Sequence, residues 1–425
     1  MIKKPYPHLG EIVYEERLDN GLLARVVTKP GFSKTYAFIA VDYGSMDTSF
    51  RVDGKSYQSP QGVAHYLEHK MFDMPDGNIM QLFSKYGGSP NAFTSYDITA
   101  YYVECTDHFE ENLDLLLRYV STPYFTSESV EKERGIIAQE IRMYEDNPDS
   151  CVFENLFAAV FAEHPIRNNI AGTVESIGEI TDQTLYDCYN AFYTPANMML
   201  CVVGDVDPAV VFRMAGELIP KADQVVIPPE RNYGAEETMK PAQKRVEKQM
   251  EVSMPMFAIG FKTEPAQYGP DSMAQEIVGD LAAEILMGES SSLYTKLYEE
   301  GLIDSGFSCG YEGLKGAGIL SASGDSRDPD AVYTAILEEG KRIIREGIDQ
   351  ELFLRLKRSA MGRRVRDLDG FESICYRTCA YHFEGVDYFA FPKIFRSVTI
   401  DQVADFLKRT VCEERAAISL VLPNE

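Results

Sequence analysis

Gly62-Val63-Ala64-His65-Tyr66-Leu67-Glu68-His69-Lys70-Met71-Phe72 holds two of the six histidines of this 425-residue chain, in the order H-x-x-E-H. Read as an α-helix, positions four apart lie one turn apart on the same face, so His65 and His69 can point both imidazoles at one ion. Glu68 is too close in sequence to be a comfortable third ligand, but it can reach a water held by that ion and take its proton. The order is the reverse of the commoner H-E-x-x-H zinc motif. Histidines on such a helix can equally be core residues. The chemical reading therefore needs a third ligand, because catalytic zinc takes three protein ligands and leaves the fourth position to water.

Glu140 is the candidate. The stretch Ser127 to Asn147, SESVEKERGIIAQEIRMYEDN, opens on a serine and repeats its apolar and charged residues at helical spacing, which predicts a helix. Glu133 and Glu140 are two turns apart and share a face. Glu140 can complete the site while Glu133 orients a ligand from behind. A solvated acidic helix face would carry the same pair.

HYLEH is followed by NAFTSYDITAYY at Asn91 to Tyr102 and EKERGIIAQEIRMYEDNP at Glu131 to Pro148, then by HPIRNNIAGTVESIGEIT at His164 to Thr181 and FYTPANMMLCVVGDVDP at Phe192 to Pro208. Together these resemble the pitrilysin/insulinase family of zinc peptidases, the inverzincins, and most closely its bacterial processing-peptidase-like members. The resemblance implies Zn2+ held by His65, His69 and Glu140, with Glu68 as general base and Glu133 as an outer carboxylate of the catalytic set. It implies that the strand holding Asn91, Ala92 and Phe93 borders the cleft and binds substrate, where an edge strand could pair with an extended peptide of many sequences. It implies two halves closing as a clamshell around a peptide. Many active relatives also place an Arg and a Tyr, seven residues apart, in the second half. Here the matching segment is SSSLYTKLYEEGLIDSGF, with Tyr298 at the Arg position and Asp304-Ser305 at the Tyr position. Lys296 and Phe307 are poor substitutes, since an ammonium is not a bidentate fork. Three readings stay open: the metal-bearing subunit of a heterodimer whose partner carries the Arg/Tyr pair, a self-sufficient homodimeric peptidase, or a noncatalytic subunit of a peptide-maturation or modification system.

Composition narrows the classes. The length suits two domains, each with its own core. A formal charge of −25 disfavours nucleic acid and anionic membrane as partners and would favour basic or amphipathic peptides. There is no run of 18 apolar residues, and Met1-Ile2-Lys3-Lys4 leads into Pro5 rather than a signal-like apolar stretch, so the expectation is a soluble cytoplasmic protein with no membrane contact. Eight scattered cysteines without a C-x-x-C read as reduced core thiols, the Cys375/Cys379 pair included.

In chain order, GEIVYEERL, the Asp19-Asn20-Gly21 turn and LLARVVTK predict a hairpin, and KTYAFIAVDYG a buried strand. Ser59-Pro60 is expected to cap the motif helix. A short helix follows from Met80 to Tyr86, and Asn91 to Glu104 alternates like one strand. The second half repeats the order. PMFAIGFK at Pro255 matches KTYAFIAVDYG, a helical run spans Asp271 to Met287, GAGILSASGDS at Gly316 echoes ITAYYVECTD, and two helices start at Asp328 and Asp349. The two halves also close alike, helix then strand, from Glu179 and from Val398. This predicts an α+β fold of two similar duplicated domains, each a mostly antiparallel sheet with helices packed on it. The expected division is a zinc-binding domain at 1–223, a linker at 224–248 and a homologous domain without the metal motif at 249–425.

Overall fold

A computed structural model describes residues 1–75, 77–221 and 228–424. The chain forms two compact units, one of residues 1–141, 169–232 and 365–383, the other of residues 142–168, 233–364 and 384–425.

Among the described residues, the first unit carries a seven-stranded sheet: β1 (Ile2–Tyr6), β2 (Glu11–Arg17), β3 (Leu23–Thr28), β4 (Thr35–Val41), β5 (Ser89–Thr94), β6 (Thr99–Cys105) and β7 (Met198–Gly204), in the order β1-β2-β3-β7-β4-β6-β5. β2 and β3 are the expected hairpin, with Val13 opposite Val27. Its turn is fastened from a distance: the Asn20 amide donates to the carbonyls of Ala215 and Ile219. β4 and β7 are buried along their whole length, which explains why TYAFIAV and MMLCVVG read as unbroken apolar runs.

The second unit carries a five-stranded sheet: β8 (Arg245–Met250), β9 (Met256–Lys262), β10 (Ser308–Leu314), β11 (Ala317–Asp325) and β12 (Ala416–Pro423), in the order β8-β12-β9-β11-β10. In both sheets a parallel pair, β3 with β7 or β8 with β12, is followed by three antiparallel pairings in the same succession. The duplicated α+β architecture is thus a property of the pairing as well as of the sequence.

Helices follow the duplication. In the first unit these are α1 (Val63–Met71), α2 (Phe109–Val120) and α3 (Ser127–Glu145), the last of which runs on past the unit's edge at residue 141. α4 (Pro148–Val160) belongs to the second unit and packs on β9 and β12. In the place corresponding to α1 stands α5 (Ser272–Met287), and the helices Pro329–Glu346 and Gln350–Arg366 match α2 and α3. α6 (Phe371–Phe383) packs on β4 and β7 of the first unit.

Three expectations change. Asn91 to Glu104 is two strands, because Ser95 N–H donates to Ile98 O and folds the stretch into a hairpin. The first helix starts at Val63 behind Gly62, and Ser59 instead donates its hydroxyl to Thr48 O. Gly62 sits at φ 87°, and a Cβ there would lie 2.3 Å from Ala171 O, so only glycine fits. The compact units also do not follow a single cut at 224–248, since α4 and α6 bury their apolar sides on the sheet of the other sequence half. Within the expected linker, residues 224–227 lie outside the described residues, Glu230–Arg231 pairs with Phe50 and Arg51, and Arg245 onward is strand.

Candidate metal centre

α1 is nearly all inside: Val63, Ala64, Tyr66, Leu67 and Met71 join the core, and this apolar anchorage leaves His65, Glu68 and His69 little freedom. The Tyr66 hydroxyl donates to Val130 O and clasps α1 to α3. Across that contact His65 Nε2 lies 3.6 Å from Glu140 Oε1, and His69 Nε2 lies 3.3 Å from Glu140 Oε2. Zinc–ligand bonds of 2.0–2.1 Å at the tetrahedral angle separate neighbouring ligand atoms by about 3.3 Å. The ligand atoms of His65, His69 and Glu140 all fall within 4.8 Å of one another, so the donor set fits zinc in chemistry and in spacing.

Glu133 lies behind His69, with its Oε1 3.0 Å from Nδ1. A hydrogen bond there fixes a proton on Nδ1, so that Nε2, which without an ion is protonated and faces Glu140, is the nitrogen that would give up its proton to ligate a metal. Burial alone would lower the His69 pKa, but the bonds to Glu133 and Glu140 and the charge of Glu68 outweigh it and hold it up at about 10. Its hydrogen bond to His69 holds the Glu133 carboxyl below the usual range. Glu140 is held lower still, by His65 first and His69 second.

Glu68 is 8% exposed. Burial pushes its carboxyl up, while the two histidines and a hydrogen bond from Thr94 pull it down. Thr94 Oγ1 donates to Glu68 Oε2 at 2.7 Å. Thr94 closes β5, the edge strand beside α1.

Side chains alternate along a strand, so Ala92 shares the helix-facing side with Thr94 and is packed against the core. Asn91 and Phe93 therefore face the other side of the sheet. There the Phe93 ring packs with Phe38, Tyr102 and Tyr376. Of the three expected substrate residues, only Ala92 has its side chain on the face of the metal helix. The outer edge of β5 pairs with no strand among the described residues.

Sequence reasoning missed Thr94 and Lys70. Thr94 lies inside the quoted NAFTSYDITAYY, and its signal is the period-2 alternation that sets it beside Ala92. Lys70 is fully buried and donates to Asp73, pinning the chain just after the helix, and nothing in its position announces that. In the second unit Tyr298 is 53% exposed and stacked on Tyr294, and Asp304 accepts from Gly306 N–H.

Two family models match the chain, one described as Insulinase (Peptidase family M16) over residues 38–174 and one as Peptidase M16 inactive domain over residues 179–360. The chain is 36% identical over 426 residues to YmfH of Bacillus subtilis, described as an uncharacterized zinc protease, covering 99% of this chain and 98% of that one. It is 27% identical over 293 residues to the Helicobacter pylori zinc protease PqqE, covering 67% of this chain and 63% of that one. The crystal structure of an M16-like peptidase from Alicyclobacillus acidocaldarius matches with a TM-score of 0.93 at 34% identity, over 97% of this chain and 99% of that one. Pitrilysin matches in fold, with a TM-score of 0.75 at 19% identity over 98% of this chain and 45% of the other.

Proposed function

The chain belongs to the insulinase family of peptidases, peptidase family M16, and from that premise we propose that it is a zinc-dependent metalloendopeptidase that cleaves peptides or processes small precursors. One observation carries this reading: His65, His69 and Glu140 converge on one point, with the Glu68 carboxyl held beside them by Thr94. A bound zinc ion supplies Lewis-acid polarisation and lowers the pKa of a water molecule. Glu68 takes a proton from the attacking water and passes it to the leaving amine. Glu133 keeps the His69 ring in its ligating orientation. The free edge of β5 takes an extended peptide through backbone hydrogen bonds, which accommodates many sequences.

The chain acts as the metal-bearing subunit beside a related subunit carrying the Arg/Tyr pair. Tyr298 at the Arg position supports this division. The same residue favours a second reading, a noncatalytic subunit in a peptide-maturation or modification system. Eight unpaired cysteines suit a reducing compartment such as the cytoplasm, and no helix among the described residues is long and apolar enough to cross a membrane.

The test is zinc content and peptide cleavage for the chain alone, for a mixture with an Arg/Tyr-bearing homologue, and for Glu68→Gln and His65→Ala. Glu68→Gln is expected to keep zinc while losing about 10²-fold or more in kcat; His65→Ala is expected to lose both. Cleavage only in the mixture identifies a split site, cleavage by the chain alone a self-sufficient peptidase. Zinc binding without cleavage in any arm favours the noncatalytic reading, and normal turnover by Glu68→Gln refutes the assignment of the base.

A further inference from the structure

Cys151 lies in the first turn of α4, where its N–H bonds back to Asn147 O and its side chain turns toward the end of α3. Its sulfur is 3.1 Å from Glu145 O. Lys248, on the edge strand β8, places Nζ 3.1 Å from the same carbonyl and 3.1 Å from Cys151 Sγ. Nitrogen, sulfur and a shared acceptor thus form a tight triangle within the second unit. Cys151 is 4% exposed, but Lys248 is exposed, so a small oxidant reaches the triangle from the lysine side.

We infer that Cys151 and Lys248 are a redox modification site at which a peroxide forms a reversible nitrogen–oxygen–sulfur bridge. The balance is Cys–SH + Lys–NH2 + 2 H2O2 → Cys–S–O–NH–Lys + 3 H2O. The S–H bond and one N–H bond break, an S–O and an O–N bond form, and the peroxide is reduced to water. In the first step the Cys151 sulfur attacks one oxygen of the peroxide and water leaves; the Lys248 nitrogen lies within reach of the oxidised sulfur. Other thiols are set against this chemistry. Burial pushes Cys105 and Cys188 up to about 11 and Cys309 up to about 12, and raises Cys375 and Cys379 well above the ordinary thiol value.

The bridge would tie β8 to the first turn of α4, across 97 positions of sequence. Cys151 stands six positions after Glu145, the last residue of the helix that carries Glu133 and Glu140.

The test is mass spectrometry of the full zinc-loaded chain after treatment with hydrogen peroxide, digested without reductant. The expected product is one species containing the peptides of Cys151 and Lys248, about 14 Da heavier than their sum and resolved by dithiothreitol. It is expected to be absent from Cys151→Ser and from Lys248→Arg, the latter an exposed change that keeps the charge. Recovery of Cys151 as a free thiol, or as a sulfinic acid in a peptide separate from unmodified Lys248, overturns the inference.

Discussion

Replacing Thr94 by valine removes one hydroxyl and little volume, and its effect on the proposed base follows from one contact. Thr94 Oγ1 donates to Glu68 Oε2 at 2.7 Å, and Glu68 is 8% exposed, so solvent cannot replace the bond. A hydrogen bond to a charged group contributes about 1.5–3 kcal/mol. The donor favours the ionised carboxylate, so its loss moves the Glu68 pKa up, and that energy corresponds to about tenfold or more in the protonation equilibrium. Burial already pushes that carboxyl up, so the two effects add. In kcat/KM against pH, the acid limb of Thr94→Val is expected about one unit or more above wild type, with about tenfold lower activity on that limb. Thr94→Ser keeps the hydroxyl and restores the wild-type profile, and zinc content is unchanged in both variants. An acid limb that stays in place in Thr94→Val at full zinc occupancy would refute the claim that Thr94 holds the base.

Three other perturbations test the centre and its scaffold. Glu133→Gln replaces the carboxylate 3.0 Å from His69 Nδ1, and a chelator competition is expected to find zinc bound about 10–100-fold more weakly; wild-type affinity would exclude an orienting role. In the zinc-stripped protein, His69 is raised from 6.5 to about 10, so its ion pairs contribute stability that is complete below about pH 6.5 and is lost as pH rises toward 10. The depressed Glu133 and Glu140 contribute stability that is present above about pH 4.5 and is lost as pH falls below it. Urea midpoints of the stripped protein should therefore peak between about pH 5 and 6.5 and fall toward pH 9.5, and His69→Gln should flatten that alkaline fall; an unchanged slope would show that His69 is not the group responsible. Gly62→Ala places a Cβ 2.3 Å from Ala171 O at φ 87° and is expected to cost about 2–4 kcal/mol by denaturant titration, whereas a loss under about 0.5 kcal/mol would mean that the backbone relaxes there.

Much of the candidate centre is legible in the sequence because its spacings are local. A separation of four positions between His65 and His69, and of seven between Glu133 and Glu140, each sets a shared helix face whatever surrounds the helix. The duplication was legible for a similar reason. The runs TYAFIAV and MFAIGFK occupy corresponding central strands, and burial on both faces imposes the same apolar composition on each.

Tertiary structure decided what depends on atoms far apart in sequence. Thr94 bonds Glu68 across 26 residues because the free edge of the sheet runs beside α1, and sequence spacing does not say which strand is at the edge. Gly62, not Ser59, starts α1 because the backbone of Ala171 occupies the space a side chain would need. α4 and α6 pack on the sheets of the opposite sequence halves, a choice their amphipathic patterns leave open, since an apolar face records that it must be buried but not against which partner.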